Sequence, residues 1–365
     1  MIVTHLFTVK NLVQRLWLLA IGLGIFWGSI GNITPLYADH HHPFLDHCGH
    51  HINLHRTFWP NTDFETCLVS VDDIRSGGPG KDGIPAIDDV YTRAVSDAAE
   101  LTDREPVISL TIAGESRAWP LRYLMWHEIA NDTLGGIPIA VTYCPLCNAA
   151  IVFDRRVDET ILDFGTTGNL RKSDLVMYDR QTESWWQQFT GEAIIGERSG
   201  QTLTVLASRL EDWNSFKTRH PDGTVLGVRN LNFRPYGANP YRGYDTSSFP
   251  FLYDGETPDG IAPLARVVVV GDTAWSLDYI RDVKTLKSDD VIITWKPGQN
   301  SALDTSQISS GRDVGTVTVQ SKKDGGTSLE DIPYDVTFAF VFHAFKPDGR
   351  LILSSDDAHD ALSDG

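Results

Sequence analysis

A partial repetition of the chain within itself constrains the fold more than any other feature. Gly271-Asp272-Thr273-Ala274-Trp275-Ser276-Leu277-Asp278-Tyr279-Ile280 aligns, with Arg117 passed over, on Gly114-Glu115-Ser116-Ala118-Trp119-Pro120-Leu121-Arg122-Tyr123-Leu124. Downstream, Thr294-Trp295-Lys296-Pro297-Gly298-Gln299-Asn300-Ser301-Ala302 falls on Thr142-Tyr143-Cys144-Pro145-Leu146-Cys147-Asn148-Ala149-Ala150. Phe216-Lys217 with Pro221-Asp222-Gly223 likewise echoes Phe345-Lys346-Pro347-Asp348-Gly349. Matching segments in the same order and at similar spacing predict an ancestral duplication. Within the first copy, 107–112 reads as a strand, and the spacing of Leu121, Leu124, Met125 and Ile129 predicts a helix over 122–131. Residues 137–143 and 149–154 read as a hairpin around a turn at 144–148. The expected fold is α+β and strand-rich, with two duplicated lobes that each carry a strand-helix-hairpin core.

The repeat also separates scaffold from chemistry. Its second copy keeps Thr, Pro, Asn and Ala of the turn but carries Lys296 and Gln299 where the first has Cys144 and Cys147. The hairpin therefore does not need thiols to form. Cys-x-x-Cys supports dithiol redox chemistry or metal ligation by thiolate. Thioredoxin-like enzymes place the first cysteine at a helix N-terminus, whose partial positive charge lowers its pKa. Here strands flank the pair, an arrangement closer to the knuckle of a zinc ribbon. One knuckle is half a tetrahedral site. His127, from the helix before the hairpin, is the first candidate to complete it, followed by Cys48, Cys67, His220 and a histidine-rich N-terminal segment. Two thiolates with an imidazole suit zinc, or copper(I) outside the cytoplasm. A redox pair and an inert Cys144–Cys147 bridge are the alternatives, because four cysteines allow three pairings.

A second cluster of polar residues follows the hairpin, in Phe164-Gly165-Thr166-Thr167-Gly168-Asn169, Ser173-Asp174 and Asp179-Arg180. Asp174 or Asp179 is placed to act as a general base and Arg180 as an anion clamp if they face one cleft; a turn and salt-bridge network is the competing reading. Between the copies, 232–263 carries Tyr236, Tyr241, Tyr244, Phe249, Phe251 and Tyr253, either to line a ligand groove or to pack on the core. The stretch 76–85 resembles a phosphate loop but has Arg75 in place of the first glycine and Asp82 in place of Ser or Thr, so it reads as a plain loop. No serine-nucleophile elbow, zinc-protease helix or dinucleotide fingerprint is present. The sequence thus assigns no reaction. Beside a metal-binding or thiol-redox protein stands a non-catalytic module that binds a small molecule or partner.

Four ordered motifs carry a family resemblance: Gly77-Gly78-Pro79-Gly80-Lys81-Asp82-Gly83-Ile84-Pro85-Ala86-Ile87, Trp126-His127-Glu128-Ile129-Ala130-Asn131-Asp132, Val141-Thr142-Tyr143-Cys144-Pro145-Leu146-Cys147-Asn148 and Ser173-Asp174-Leu175-Val176-Met177-Tyr178-Asp179-Arg180. Together with Asn239-Pro240-Tyr241-Arg242-Gly243-Tyr244 they resemble the domain-of-unknown-function family numbered 3179, over about Ser76 to Leu353. The resemblance implies bacterial or archaeal proteins that often carry export signals, and no established activity.

The termini fit export. Residues 1–38 contain Lys10 and Arg15 but no acid, an apolar run over 16–30, and Ala38 at a cleavage position, which is a secretory signal pattern. An uncleaved anchor is the alternative, although the run is short for a span of about 20 residues. The expected location is extracytoplasmic, with no membrane span once the signal is removed. Segment 39–75 opens with His40, His41, His42, His47, His50, His51 and His55 beside Cys48, a tail able to capture zinc, copper or nickel or simply to stay unordered. The expected boundaries are then a first lobe over 76–231, the aromatic connection over 232–263, a second lobe over 264–353 and an acidic tail over 354–365. The formal charge is −17, and loss of Lys10 and Arg15 with the signal makes it −19. Such a field repels nucleic acid and anionic lipid.

Overall fold

The computed structural model describes residues 48–49, 55–322 and 328–357. The expected signal at 1–38, all histidines of the N-terminal segment except His55, and 358–365 of the acidic tail lie outside the described residues. Within them the chain is strand-rich, with several small sheets in a propeller-like ring. No described helix is long and apolar enough to cross a membrane.

Two of the sheets share one connection pattern. In the first, Pro106–Ile112 and Glu115–Pro120 form a hairpin, Arg209–Asp212 adds antiparallel to its first strand, and Thr224–Gly227 lies parallel to its second. Tyr91–Ala94 extends this sheet by one more strand. In the second, Arg266–Val270 and Thr273–Ser276 form the hairpin, flanked antiparallel by Asp335–Phe338 and parallel by Arg350–Ile352. Helices Trp213–Arg219 and Ala339–Phe345 link the flanking strands of their sheets. Period-2 alternation divides each sheet between two cores. Val107, Ala118 and Val225 meet Trp213 and Phe216 on one face, while Ile108, Leu110 and Trp119 enter the main core on the other. Val267, Val269 and Ala274 meet Ala339 and Phe342, while Val268 and Trp275 enter the same main core.

Each hairpin runs directly into a seven-residue helix, Leu121–His127 or Leu277–Val283. The first is shorter than the 122–131 expected from its apolar spacing. Glu128 adopts φ 59° and ends it, and Ile129–Leu134 continues as a strand. Lys284 ends the second helix at φ 64°. The chain reverses identically in both places. Ile129 pairs with Thr142 and Thr285 with Thr294, while the carbonyls of Glu128 and Lys284 accept the N–H of Tyr143 at 2.8 Å and of Trp295 at 2.9 Å. The antiparallel set Ile129–Leu134, Ile137–Cys144, Ala149–Asp154 follows the first helix. Thr285–Ser288, Val291–Lys296, Thr316–Lys322 and Leu329–Asp331 follow the second.

A further sheet orders Ile74–Ser76, Phe164–Arg171, Asp174–Asp179, Trp185–Gln187 and Glu192–Ile195. One face packs on Trp59, Phe64 and the Cys48–Cys67 disulfide. That bridge rules out the two pairings that would join Cys48 or Cys67 to Cys144 or Cys147, and these last two are free thiols. The glycine-rich loop clamps this sheet: Gly77 N–H donates to Gly168 O at 2.8 Å, Asp82 N–H to Thr166 O at 2.9 Å, and Thr166 Oγ1 to Ile84 O at 2.8 Å. In the aromatic connection Tyr236, Tyr241, Tyr244 and Tyr253 pack against the main core, whereas Phe249 and Phe251 are exposed.

Candidate functional site

Cys144 ends the strand Ile137–Cys144, and the turn that follows is closed by Cys147 N–H donating to Cys144 O at 3.2 Å and Asn148 N–H to Pro145 O at 3.3 Å. Asn148 takes φ 52°, a left-handed conformation that asparagine tolerates, and so brings Ala149 back opposite Cys144. The tip does not point into solvent. Asp335–Phe338 covers it: Asn148 Nδ2 donates to Val336 O at 2.7 Å, and Cys147 O accepts Thr337 Oγ1 at 2.8 Å and Phe338 N–H at 3.2 Å. Cys144 is 2% exposed and Cys147 is fully buried.

A second tight turn faces the first. Arg171 pairs with Asp174, so Lys172 and Ser173 form a two-residue connection, both at positive φ (52° and 68°), as a type I′ hairpin requires. The turn directs Ser173 O at the sulfurs, 3.6 Å from Cys147 Sγ and 3.9 Å from Cys144 Sγ. It also starts the next strand with the fully buried Asp174. One carboxylate oxygen, Oδ2, accepts Gln187 Nε2 at 2.7 Å and Phe189 N–H at 2.9 Å. The other, Oδ1, has no conventional hydrogen-bond partner. The ligand atoms of Cys144, Cys147 and Asp174 all lie within 4.8 Å of one another.

The surroundings hold several buried acids together. Burial pushes Asp174 up to about 6, against the pull of Gln187, the Phe189 amide and the two thiols. Burial, with Asp174 nearby, pushes Glu128 up to about 8 and Asp335 up to about 7. Burial also raises Cys144 and, well above the ordinary thiol value, Cys147. Arg171, which pairs with Asp174 across the hairpin, is the cation that feels its charge. Such a cluster either keeps its protons or exchanges them for a metal ion, because an isolated buried anion is costly.

The residues singled out from sequence are not all brought together. Cys144, Cys147 and Asp174 meet, so the carboxylate read as a general base lies beside the two thiols. His127 is engaged elsewhere: Nδ1 lies 2.7 Å from Pro85 O and Nε2 2.7 Å from Tyr236 OH. Asp179 sits at the far end of the strand from Asp174, where its oxygens accept Thr182 N–H and Oγ1 and Trp186 Nε1. Arg180 pairs with Asp88 at 2.8 Å. His220 packs beside Ser116 and Arg219, and Cys48 and Cys67 are spent on each other. Glu128 and Asp335 went unnoticed in the sequence. Extending the repeat alignment by four residues sets Glu128 opposite Lys284, a charge reversal that marks the position; Asp335 carries no comparable signal.

The family model described as "Protein of unknown function (DUF3179)" matches residues 81–349. Neither a curated protein nor a solved structure matches the chain. Both turns, and the glycine-rich loop that clamps the strand Phe164–Arg171, fall within, or at the edge of, the matched stretch, and the chain belongs to the DUF3179 family.

Proposed function

We propose that the protein is an exported metal-binding protein whose ion is held by Cys144, Cys147 and Asp174. The observation that carries this is the convergence, within 4.8 Å and fully buried, of two thiols and a carboxylate whose Oδ1 has no conventional hydrogen-bond partner. Ligands at about 2.0–2.3 Å from one zinc ion span distances of this order. Thiolates with a carboxylate suit zinc or, with the carboxylate standing off, copper(I). Dithiol redox work fits less well, since reactive cysteines sit in accessible surroundings that lower their pKa, and here both thiols are buried and raised. Export rests on the charge and apolar pattern of residues 1–38.

The two duplicated lobes remain part of this reading. Their support is the shared connection pattern, the left-handed helix ends at Glu128 and Lys284, and a reciprocal packing in which Asp335–Phe338 lies on Ala149–Asp154 and Arg209–Asp212 on Thr316–Lys322. The third echo is better aligned by geometry: Phe216 lies under Gly223 as Phe342 lies under Gly349, so Phe342 rather than Phe345 is its counterpart.

Elemental analysis of untagged protein purified from its native compartment, with a thiol count under denaturing conditions, tests the site. The expectation is a bound transition metal and two free thiols, with the metal lost in Cys144→Ser and Cys147→Ser. Metal-free protein that takes up neither zinc nor copper(I) would refute it.

A further inference from the structure

Cys144, Cys147 and Asp174 give a tetrahedral ion three donors, and closed structural zinc sites use four. We propose that the backbone carbonyl of Ser173 is the fourth donor, completing a two-thiolate, two-oxygen site for zinc. This inference rests on the metal reading of Cys144, Cys147 and Asp174.

Ser173 O lies 3.6 Å from Cys147 Sγ and 3.9 Å from Cys144 Sγ, and both thiols donate toward it. Zinc bonds of about 2.3 Å to sulfur and about 2.0–2.2 Å to oxygen set a sulfur and an oxygen about 3.5–3.7 Å apart on a tetrahedron. One ion therefore reaches the carbonyl and both sulfurs with small adjustments. It takes the place of the thiol protons that point at the carbonyl, because thiolate ligation releases them. The carbonyl is not needed by the sheet. In this two-residue hairpin the ladder hydrogen bonds belong to the flanking pair, Arg171 and Asp174, and among the described residues the partners of Ser173 O are the two sulfurs.

The turn is held so that this atom keeps its direction. Ser173 is fully buried, and both Lys172 and Ser173 take a positive φ that neither residue favours, so packing around the turn sets its shape. Lys172 Nζ donates to Ala344 O, and Ser173 Oγ donates to Phe251 O. The hydroxyl thus has another partner, which leaves the carbonyl as the donor from this residue. Asp174 comes next in the chain, and its carboxylate closes the 4.8 Å group with both sulfurs. One turn delivers two sulfurs and the facing turn two oxygens. Charge favours the carbonyl as well. Two thiolates and Asp174 already outweigh the charge of one zinc ion, and an uncharged fourth donor adds nothing to that excess in a buried site. Glu128 and Asp335 lie outside the donor group, and Asp335 Oδ1 accepts the Ala150 N–H at 3.4 Å. Carboxylate and carbonyl oxygens beside two thiolates suit zinc, whereas copper(I) favours sulfur.

Isotope-edited difference infrared spectroscopy tests this on the full chain, made with serine alone labelled at its carbonyl carbon and compared metal-free and zinc-loaded. A Lewis acid polarises the carbonyl it binds, so zinc is expected to move one serine carbonyl band to lower frequency. Ser173→Gly keeps the backbone carbonyl but not the label, and glycine accepts the positive φ. This variant should bind zinc as the parent does and lose the moving band, whereas Cys147→Ser should lose zinc. A serine band that does not move in the zinc-loaded parent, or that moves equally in Ser173→Gly, would show that Ser173 O is not a ligand while the three-donor site stands. Failure of Ser173→Gly to bind zinc would overturn the carbonyl in favour of the hydroxyl. If the parent takes up no zinc this inference fails, and if it takes up no copper(I) either, the metal reading falls with it.

Discussion

At the scale of single residues, the buried carboxyls make stability depend on pH in an unusual direction. A carboxyl whose proton is held more tightly in the folded state stabilises the fold below its unfolded pKa and loses that contribution as pH rises through the folded one. Glu128, Asp335 and Asp174, pushed up to about 8, about 7 and about 6, set the window between pH about 4 and 8. Metal-free protein should therefore be most stable in mild acid and weaken as pH rises, by on the order of a few kcal/mol. Asp335→Asn, which cannot ionise, should flatten part of that slope. Denaturant unfolding in chelator at several pH values, on parent and variant, measures the difference and cancels the background effect of net charge. A parent whose stability is flat across the window would mean these acids are not held neutral.

At the scale of elements, tight turns bring Cys144, Cys147 and Asp174 together, and a glycine-rich loop clamps the strand that leads into the second of them. Gly168 has φ +74°, and a Cβ there would meet Pro79 O at 1.9 Å. Gly168→Ala should cost roughly 2–4 kcal/mol, since it combines an unfavourable backbone conformation with a backbone clash. Thermal unfolding would read this, with Gly114→Ala as control, because its added Cβ has open space at a similarly positive φ of +83°. Equal losses in both would show that conformation alone matters. The sequence made the Cys144–Cys147 turn legible because proline, asparagine and the flanking apolar runs are local signals. The turn at Lys172–Ser173 was not legible, because neither residue favours positive φ and only the pairing of strands around it demands one.

For the whole molecule, burial of the sulfurs under a strand from the far end of the chain links the site to global folding. Cys144 and Cys147 should react with a thiol reagent only as fast as the protein opens, and at once in denaturant. Rapid labelling of the native protein would show that the site is accessible and would revive a redox role. The same packing means that the turn bearing the sulfurs is incomplete without the C-terminal third of the chain. A fragment over 44–263 loses Thr337, Phe338 and Val336, which hold the Cys147–Asn148 turn. It should lack cooperative unfolding and near-ultraviolet dichroism, whereas a cooperatively folded fragment would make the lobes independent domains.

Local chemistry written in the chain determined the hairpin at 137–154 and the strand-helix-strand order on either side of it, because turn residues and apolar periodicity act within a few residues of themselves; the expected second tight turn does not form, since Lys296 pairs with Thr316 and 297–315 intervene. Tertiary structure alone decided which groups meet the sulfurs. His127 stands closer in sequence to the cysteines than Asp174 does, yet the helix that carries it ends in a left-handed reversal and turns its ring toward Pro85 and Tyr236. Asp174 arrives on a strand of another sheet. Donor convergence depends on how separate sheets pack, a long-range property that no short window of sequence contains.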